Sequence, residues 1–273
     1  MLEADGMMLL GYSLEMNILA FALGSVRLFV FLQTAPFAGP TVTAPVRTAI
    51  TIALYGVLHP AILASLPELF PLSGTDVVVL LALLLKEVAL GFVLGWLAGM
   101  VFWTIESAGF FIDNQRGASM AQLTDPLSSD STSPVGSFFF QALNFIFYSG
   151  GAFVTTLALL YSTYEIWPVG QALPYSLFTN HEAALFFGRC VARLSVDTVL
   201  LAAPVVLACL FTDISLGIIN RFASQLNVYV LAMGVKSGIA AFLLLLYLAV
   251  LIVQGTERFG MLALDLKQLQ GFL

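Results

Sequence analysis

The stretch VVVLLALLLKEVALGFVLGWLAGMVFWTI, residues 77–105, decides the fold class. It is longer than the ~20 residues that carry an α-helix across hydrocarbon, yet Lys86 and Glu87 interrupt it after nine apolar residues. A charged side chain at mid-membrane costs roughly 2.5–3.5 kcal/mol on an insertion scale, so the run does not read as a lone span immersed in lipid. Neighbours in sequence point about 100° apart on a helix. Lys86 and Glu87 are therefore expected to find their partners on other helices, on other chains or in a water-filled passage, and not in each other.

Five further apolar runs flank it, residues 16–35, 49–66, 135–161, 183–211 and 228–253. Each is near or above the length of a span. The chain reads as an all-α, membrane-type protein of about six long apolar helices, a single helical unit over residues 1–273. Composition agrees: 60% of the residues are apolar and 10% charged, with a mean hydropathy of +0.98, against roughly 25% charged in an average soluble domain. The first residues carry Glu3, Asp5 and Glu15 and no Lys or Arg, unlike the basic start of a cleavable signal peptide, so the first run is expected to stay in the mature protein. A net charge of -6 argues against a nucleic-acid partner, which needs clustered cations for phosphate.

Punctuation follows the runs. Pro45 opens the second, Pro67 and Pro71 close it, Ser133 before Pro134 reads as an N-cap with proline at the first helical position, and Asn180 is placed to cap the fifth. Pro60 and Pro204 fall inside runs and are expected to kink or break them. Cys190 and Cys209 lie nineteen residues apart in one run, about 28 Å along a helix, too far for a disulfide. Trp167, Pro168, Pro174 and Tyr175 suit a loop at headgroup level. In the tail, residues 254–273, Phe259, Leu262, Leu266 and Leu269 recur at helical spacing, which predicts a short amphipathic helix.

The interior charges extend beyond the opening pair: Arg27, Arg189, Arg193, Asp197 and Lys236 also lie inside apolar runs. In the fifth run two Arg and one Asp cost about 8–10 kcal/mol, whereas its fourteen Leu, Val and Phe return only about 6 kcal/mol. Arg189, Arg193 and Asp197 fall at i, i+4 and i+8, one stripe that faces protein or water unless the arginines snorkel to the interface. Loop cations number three on one side (Arg47, Arg116, Arg221) and two on the other (Arg258, Lys267), too small a bias to orient the chain. Gly91, Gly95 and Gly99 form a GxxxGxxxG strip and Gly234 with Gly238 a GxxxG; such strips let helix backbones approach. Catalysis finds no footing. His59 and His181 stand apart with no second ligand at metal spacing, and the G-x-S of Gly117–Ser119 has no histidine to activate it. No metal or other cofactor is expected.

Four stretches carry a family resemblance: PFAGP at 36–40 with Arg47 downstream, KEVALGFVLG at 86–95, GFFIDNQRGASMAQLTDP at 109–126, and DISLGIINRFASQLNVYVLAMGVK at 213–236. Together they resemble the SctT family of type III secretion, whose flagellar relative is FliR, over nearly the whole chain. The resemblance implies a non-enzymatic subunit of a hetero-oligomeric export gate in the bacterial inner membrane, within the secretion-system basal body. It implies one copy assembled with several copies each of the R and S subunits, beside the U-type switch subunit and the large export-gate subunit, with unfolded proteins as cargo. It also implies helices arranged as hairpins raised largely out of the bilayer, and a plug at 109–126 that closes the gate from inside. Phe110, Phe111, Ile112 and Met120 would seal that passage, and Asp113, Asn114, Gln115, Arg116 and Gln122 would meet water when it opens. The plainer reading is that residues 109–123 only continue the third run as a helix end. A competing function is a small-solute secondary transporter with broken helices at Pro60 and Pro204, for which inverted repeats are expected and none is visible.

Overall fold

The computed structural model describes residues 13–38, 42–66, 76–117, 133–171, 180–223, 225 and 227–270. Among them every regular element is helical: α1 Leu14–Thr34, a 3-10 turn Pro36–Ala38, α2 Ala44–Ser65, α3 Asp76–Gln115, α4 Pro134–Ser149, α5 Ala152–Ile166, α6 His181–Phe222 and α7 Val228–Gln270. Five are long and apolar enough to cross a membrane, or six if α4 and α5 count as one broken span.

The caps explain several of these boundaries. Ser13 accepts from the Met16 amide at the start of α1, and Ser133 accepts from the Gly136 amide before Pro134 at the start of α4. The Asn180 side chain accepts from the Glu182 amide at 2.9 Å as α6 begins. These bonds satisfy amides that have no partner inside the helix. The fourth apolar run is two helices and not one, because Gly150 and Gly151 interrupt it. Gly151 has φ +76°, a conformation that costs a side chain-bearing residue more than glycine. Pro60 and Pro204 do not end their helices; α2 and α6 run on through both. The C-terminal tail is the last part of α7 and not a separate short helix. Cys190 and Cys209, both on α6, are buried.

The chain divides into two compact units. In the first, α1 and α2 pack as a pair, and a Cβ at Gly24 would lie 2.6 Å from Ile62 Cδ1. The first half of α3 lies against α1: a Cβ at Gly91 would stand 2.6 Å from the Arg27 carbonyl oxygen, and one at Gly95 2.9 Å from that of Phe31. Helix α5 joins them through Tyr164, whose hydroxyl donates to the Gly24 carbonyl at 2.8 Å, and Tyr161, which donates to that of Leu54 at 3.2 Å. Leu23, Leu28, Leu63, Leu90 and Leu160 fill the core.

The second unit is built from the end of α3, α4, and most of α6 and α7. Phe102 of α3 meets Phe147 of α4 and Phe259 of α7 at ring-centroid distances of 5.3 and 5.6 Å, in the tilted and edge-on geometries that aromatic rings favour. Gly255 of α7 fits against Leu143 and Ile105. Two ion pairs link α6 and α7: Asp197 with Arg258, and Asp213 with Lys236 at 3.0 Å. Gly109 and Gly136 bring α3 and α4 into backbone contact, since a Cβ on Gly109 would lie 2.5 Å from the Gly136 Cα.

Candidate functional site

Two carboxylates on α3 organise the candidate sites, one in each unit. Glu87 sits in a fully buried ion cluster. Its Oε2 accepts from Arg27 Nε at 2.7 Å and its Oε1 from an Arg27 terminal nitrogen at 3.0 Å, the two-pronged match of guanidinium to carboxylate. The other Arg27 donors reach the carbonyl and hydroxyl of Thr163 at 2.9 and 3.1 Å and the carbonyl of Trp167 at 2.8 Å. All five donors of the guanidinium therefore have acceptors, and its Cζ lies 4.1 Å from the Tyr164 ring centroid.

Lys86 completes the cluster. Its Nζ donates to the carbonyls of Pro168, Val169 and Gln171 at 2.9, 2.9 and 3.0 Å. It also lies 2.8 Å from Glu87 Oε1, contrary to the expectation that adjacent residues diverge too far to meet. Both side chains are long enough to fold back towards each other. One carboxylate thus faces two cations, and the excess positive charge is met by carbonyls at and beyond the end of α5. A helix C-terminus carries partial negative charge that favours a cation. Trp167 and Val169 are buried here, so the described part of this stretch is an interior ligand for the cations; Pro174 and Tyr175 lie outside the described residues. Arg27 stood out in the sequence as a charge inside an apolar run; the backbone carbonyls that hold it had no sequence signal.

Asp113 organises the second site, at the segment expected to form the gate. Residues 109–115 are the last turns of α3 and not a loop, and Gly117 closes the helix with φ +82°, the left-handed cap that glycine favours. Ile112 is fully buried, on the face that also buries Phe102, Ile105 and Ala108. Asp113 is buried as well. Phe110 is 47% exposed, Phe111, Gln115 and Arg116 are half-buried, and Asn114 is exposed. Met120 and Gln122 lie outside the described residues.

The Asp113 carboxylate ties this turn to α4. Oδ1 accepts from Arg116 Nε at 2.6 Å. Oδ2 accepts from the Ser133 hydroxyl at 2.5 Å and from the Val135 amide at 2.9 Å. Ser133 in turn accepts from the Gly136 amide at 2.9 Å. An anion beside the first turn of α4 is favoured by the helix dipole, and the Gly109–Gly136 contact sets the distance at which it acts.

The remaining sequence-derived charges are less buried than expected. Arg193 is exposed, and Asp197 and Lys236 are half-buried. The buried positions of α6 include Cys190, Leu201, Val205, Cys209 and Leu216, one stripe from which Arg193 is displaced around the helix. Gly91 and Gly95 pack against α1 and Gly99 is buried, whereas among the described residues no atom lies within 4 Å of where a Cβ on Gly234 or Gly238 would stand.

Comparison with known proteins places these features in a family. Residues 18–262 match bacterial export proteins, family 1. Yop proteins translocation protein T of Yersinia pestis is 41% identical over 177 residues, 65% of this chain and 67% of that protein. The surface presentation of antigens protein SpaR of Salmonella typhimurium is 32% identical over 191 residues, 70% of each chain. The flagellar biosynthetic protein FliR of Aquifex aeolicus is 26% identical over 247 residues, 90% of this chain and 91% of that one. With the family matched across both units, from α1 into the last turns of α7, the chain belongs to the SctT/FliR family of bacterial export-apparatus subunits.

Proposed function

We propose that this chain is a core subunit of a type III protein-secretion export gate, set in the basal body at the bacterial inner membrane. With several copies each of the R and S subunits it forms a channel through which unfolded proteins pass. The U-type switch subunit and the large export-gate subunit are its further neighbours in this reading. The observation that carries it is the family match over residues 18–262.

Physical features support the same reading. Helices α3, α6 and α7 have 40, 42 and 43 residues, so at ~1.5 Å per residue each is about 60–65 Å long, twice the ~30 Å of hydrocarbon. They suit hairpins that rise out of the bilayer better than simple spans. They also leave large apolar side chains uncovered, among them Leu85, Phe211 and Leu245 at 69, 64 and 78% exposure, which require lipid or other subunits as cover.

The seal in this proposal is the exposed face of the last α3 turns. Phe110 and Phe111 exclude water in the closed state, Asn114, Gln115 and Arg116 border them, and Ile112 and Asp113 hold the turn from behind. Met120 and Gln122 belong to the same proposed segment. Gating is passive, and the energy for transport comes from an ATPase and the proton-motive force acting on other components.

The test is the double variant Phe110→Ala/Phe111→Ala, which removes roughly 300–400 Å² of aromatic surface. Ion leak across the membrane of cells making it is expected to rise while recovery of the complex stays normal. A Gln115→Cys variant is expected to crosslink to a stalled export substrate. Intact complexes with unchanged permeability and no crosslink would overturn the seal.

A further inference from the structure

We infer that Asp113 is the positioning residue of the seal: its carboxylate fastens the last turn of α3 to the first turn of α4 and thereby holds Phe110 and Phe111 in the closed position. The inference rests on reading the end of α3 as the seal, and it names the group on which closure depends.

Three features of Asp113 lead there. It is a buried carboxylate, its side chain 5% exposed, placed one turn from Phe110 on the same helix. Its three bonds run to two different elements: the i+3 neighbour Arg116 on one oxygen, and Ser133 and Val135 at the start of α4 on the other. The third feature is a division of labour with the glycines. Gly109 and Gly136 permit backbone contact, but a contact between two glycines offers little side-chain surface to hold it closed, because apolar stabilisation scales with buried area. The carboxylate supplies directional attachment where packing supplies little. Bonds to a charged acceptor are roughly twice as strong as neutral ones, so the end of α3 can move away from α4 only by breaking bonds to Ser133 and Val135 that are worth replacing with water only when the seal is forced open.

Arg116 and the start of α4 compete for different oxygens, so the two attachments separate by mutation. Asp113→Asn keeps the size of the side chain but offers a single acceptor oxygen and directs an amide NH₂ at either Arg116 or the Val135 amide. The exchange Asp113→Arg/Arg116→Asp restores an opposite-charge i, i+3 pair while pointing a cation at the start of α4, where the dipole disfavours it. A purely local ion pair is rescued by the exchange; an attachment to α4 is not.

The experiment compares ion leak in cells producing the assembled export complex, with complex recovery measured in parallel. Asp113→Asn is expected to raise leak about tenfold, the effect of losing one charge-assisted bond in a two-state closure, with recovery unchanged; the charge exchange is expected to leak to the same degree, and Arg116→Ala to leak less than either. If Asp113→Asn prevents assembly, Ser133→Ala, which removes the hydroxyl donor and keeps the carboxylate, must itself leak while assembled. Intact complexes of Asp113→Asn or Ser133→Ala as tight as wild type, or full rescue by the charge exchange, overturn the inference. The Phe110→Ala/Phe111→Ala variant separates the two levels: leak there without leak at Asp113 defeats the positioning role alone, whereas tightness in both defeats the seal itself.

Discussion

Glu87 and Asp113 are carboxylates on one helix, α3, and the two units use them in opposite ways. Glu87 is enclosed by two cations, and those cations are saturated by a ring of carbonyls from Thr163 to Gln171. Asp113 has one cation, Arg116, whose side chain is 20% exposed, and otherwise holds a hydroxyl and an amide. The first arrangement has no component that can leave without stranding a charge away from water. The second joins two helix ends whose backbones already touch, and its bonds to α4 can be broken with the carboxylate still paired to Arg116 and only neutral donors left behind on α4. One carboxylate is therefore part of a fixed core and the other part of a joint.

The largest effect that tests the contrast is expected at Glu87. Glu87→Ala leaves Arg27 and Lys86 as neighbouring cations with no anion between them, and breaking a buried pair in this way costs about 3–5 kcal/mol. Loss of the chain from membranes, or a marked fall in the thermal unfolding temperature of the complex, is the expected result. Glu87→Gln retains one carbonyl acceptor for Arg27 and is expected to fall between Ala and wild type. Normal stability of both variants would mean that water reaches the cluster, and the contrast with Asp113 would collapse.

The cost of the charges was legible in the sequence, and their partners were not. An apolar run interrupted by Lys86 and Glu87, and another by Arg27, required compensation from somewhere. Hydropathy cannot reveal that most of it comes from backbone carbonyls after α5, because every residue carries a carbonyl. Residue type places Trp167 and Pro168 in a loop suited to headgroup level, and gives no sign that Trp167 is buried and that both carbonyls accept from the buried cations. Helix type and most starts were readable from Ser133, Pro134, Asn180 and Pro45. The break at Gly150–Gly151 was missed because glycine is common inside membrane helices, so two of them do not stand out from an apolar run. At the candidate gate, the seal and its polar border were implied by the family resemblance, whereas the burial of Ile112 and Asp113 at the end of α3 was not legible in the run of residues.

A smaller effect is expected where α3 meets α1. At Gly95 a Cβ would lie 2.8 Å from Thr34 Cβ and 2.9 Å from the Phe31 carbonyl oxygen, so even Gly95→Ala must push the two helices apart. Overpacking of this kind costs roughly 1–3 kcal/mol, and Gly95→Leu is expected to exceed Gly95→Ala. Thermal unfolding of the purified chain in detergent checks the order. If Gly95→Ala matches wild type, α1 and α3 adapt freely, and the rigidity assigned to the unit around Glu87 has to be given up.

The smallest effect, with the opposite sign, is expected at the second glycine strip. Gly234 and Gly238 repeat the spacing of Gly91 and Gly95, yet among the described residues no atom lies within 4 Å of a Cβ at either position. With nothing to displace, Gly234→Ala should only relieve the backbone entropy that glycine costs inside a helix, stabilising the isolated chain by about 0.5–1 kcal/mol. Gly234→Leu should behave similarly in isolation, because the face is open. In the assembled complex the two variants are expected to diverge: small residues at i and i+4 suit close backbone approach by another helix, so Leu should lower co-recovery of neighbouring export subunits while Ala leaves it near normal. Unfolding in detergent and co-recovery from membranes therefore need to be measured on the same pair of variants. Destabilisation of the isolated chain by Gly234→Ala would mean that the strip is packed within the chain after all. Unchanged co-recovery with Gly234→Leu would assign this face of α7 to lipid, and the two strips, alike in sequence, would then differ in solvent as well as in partner.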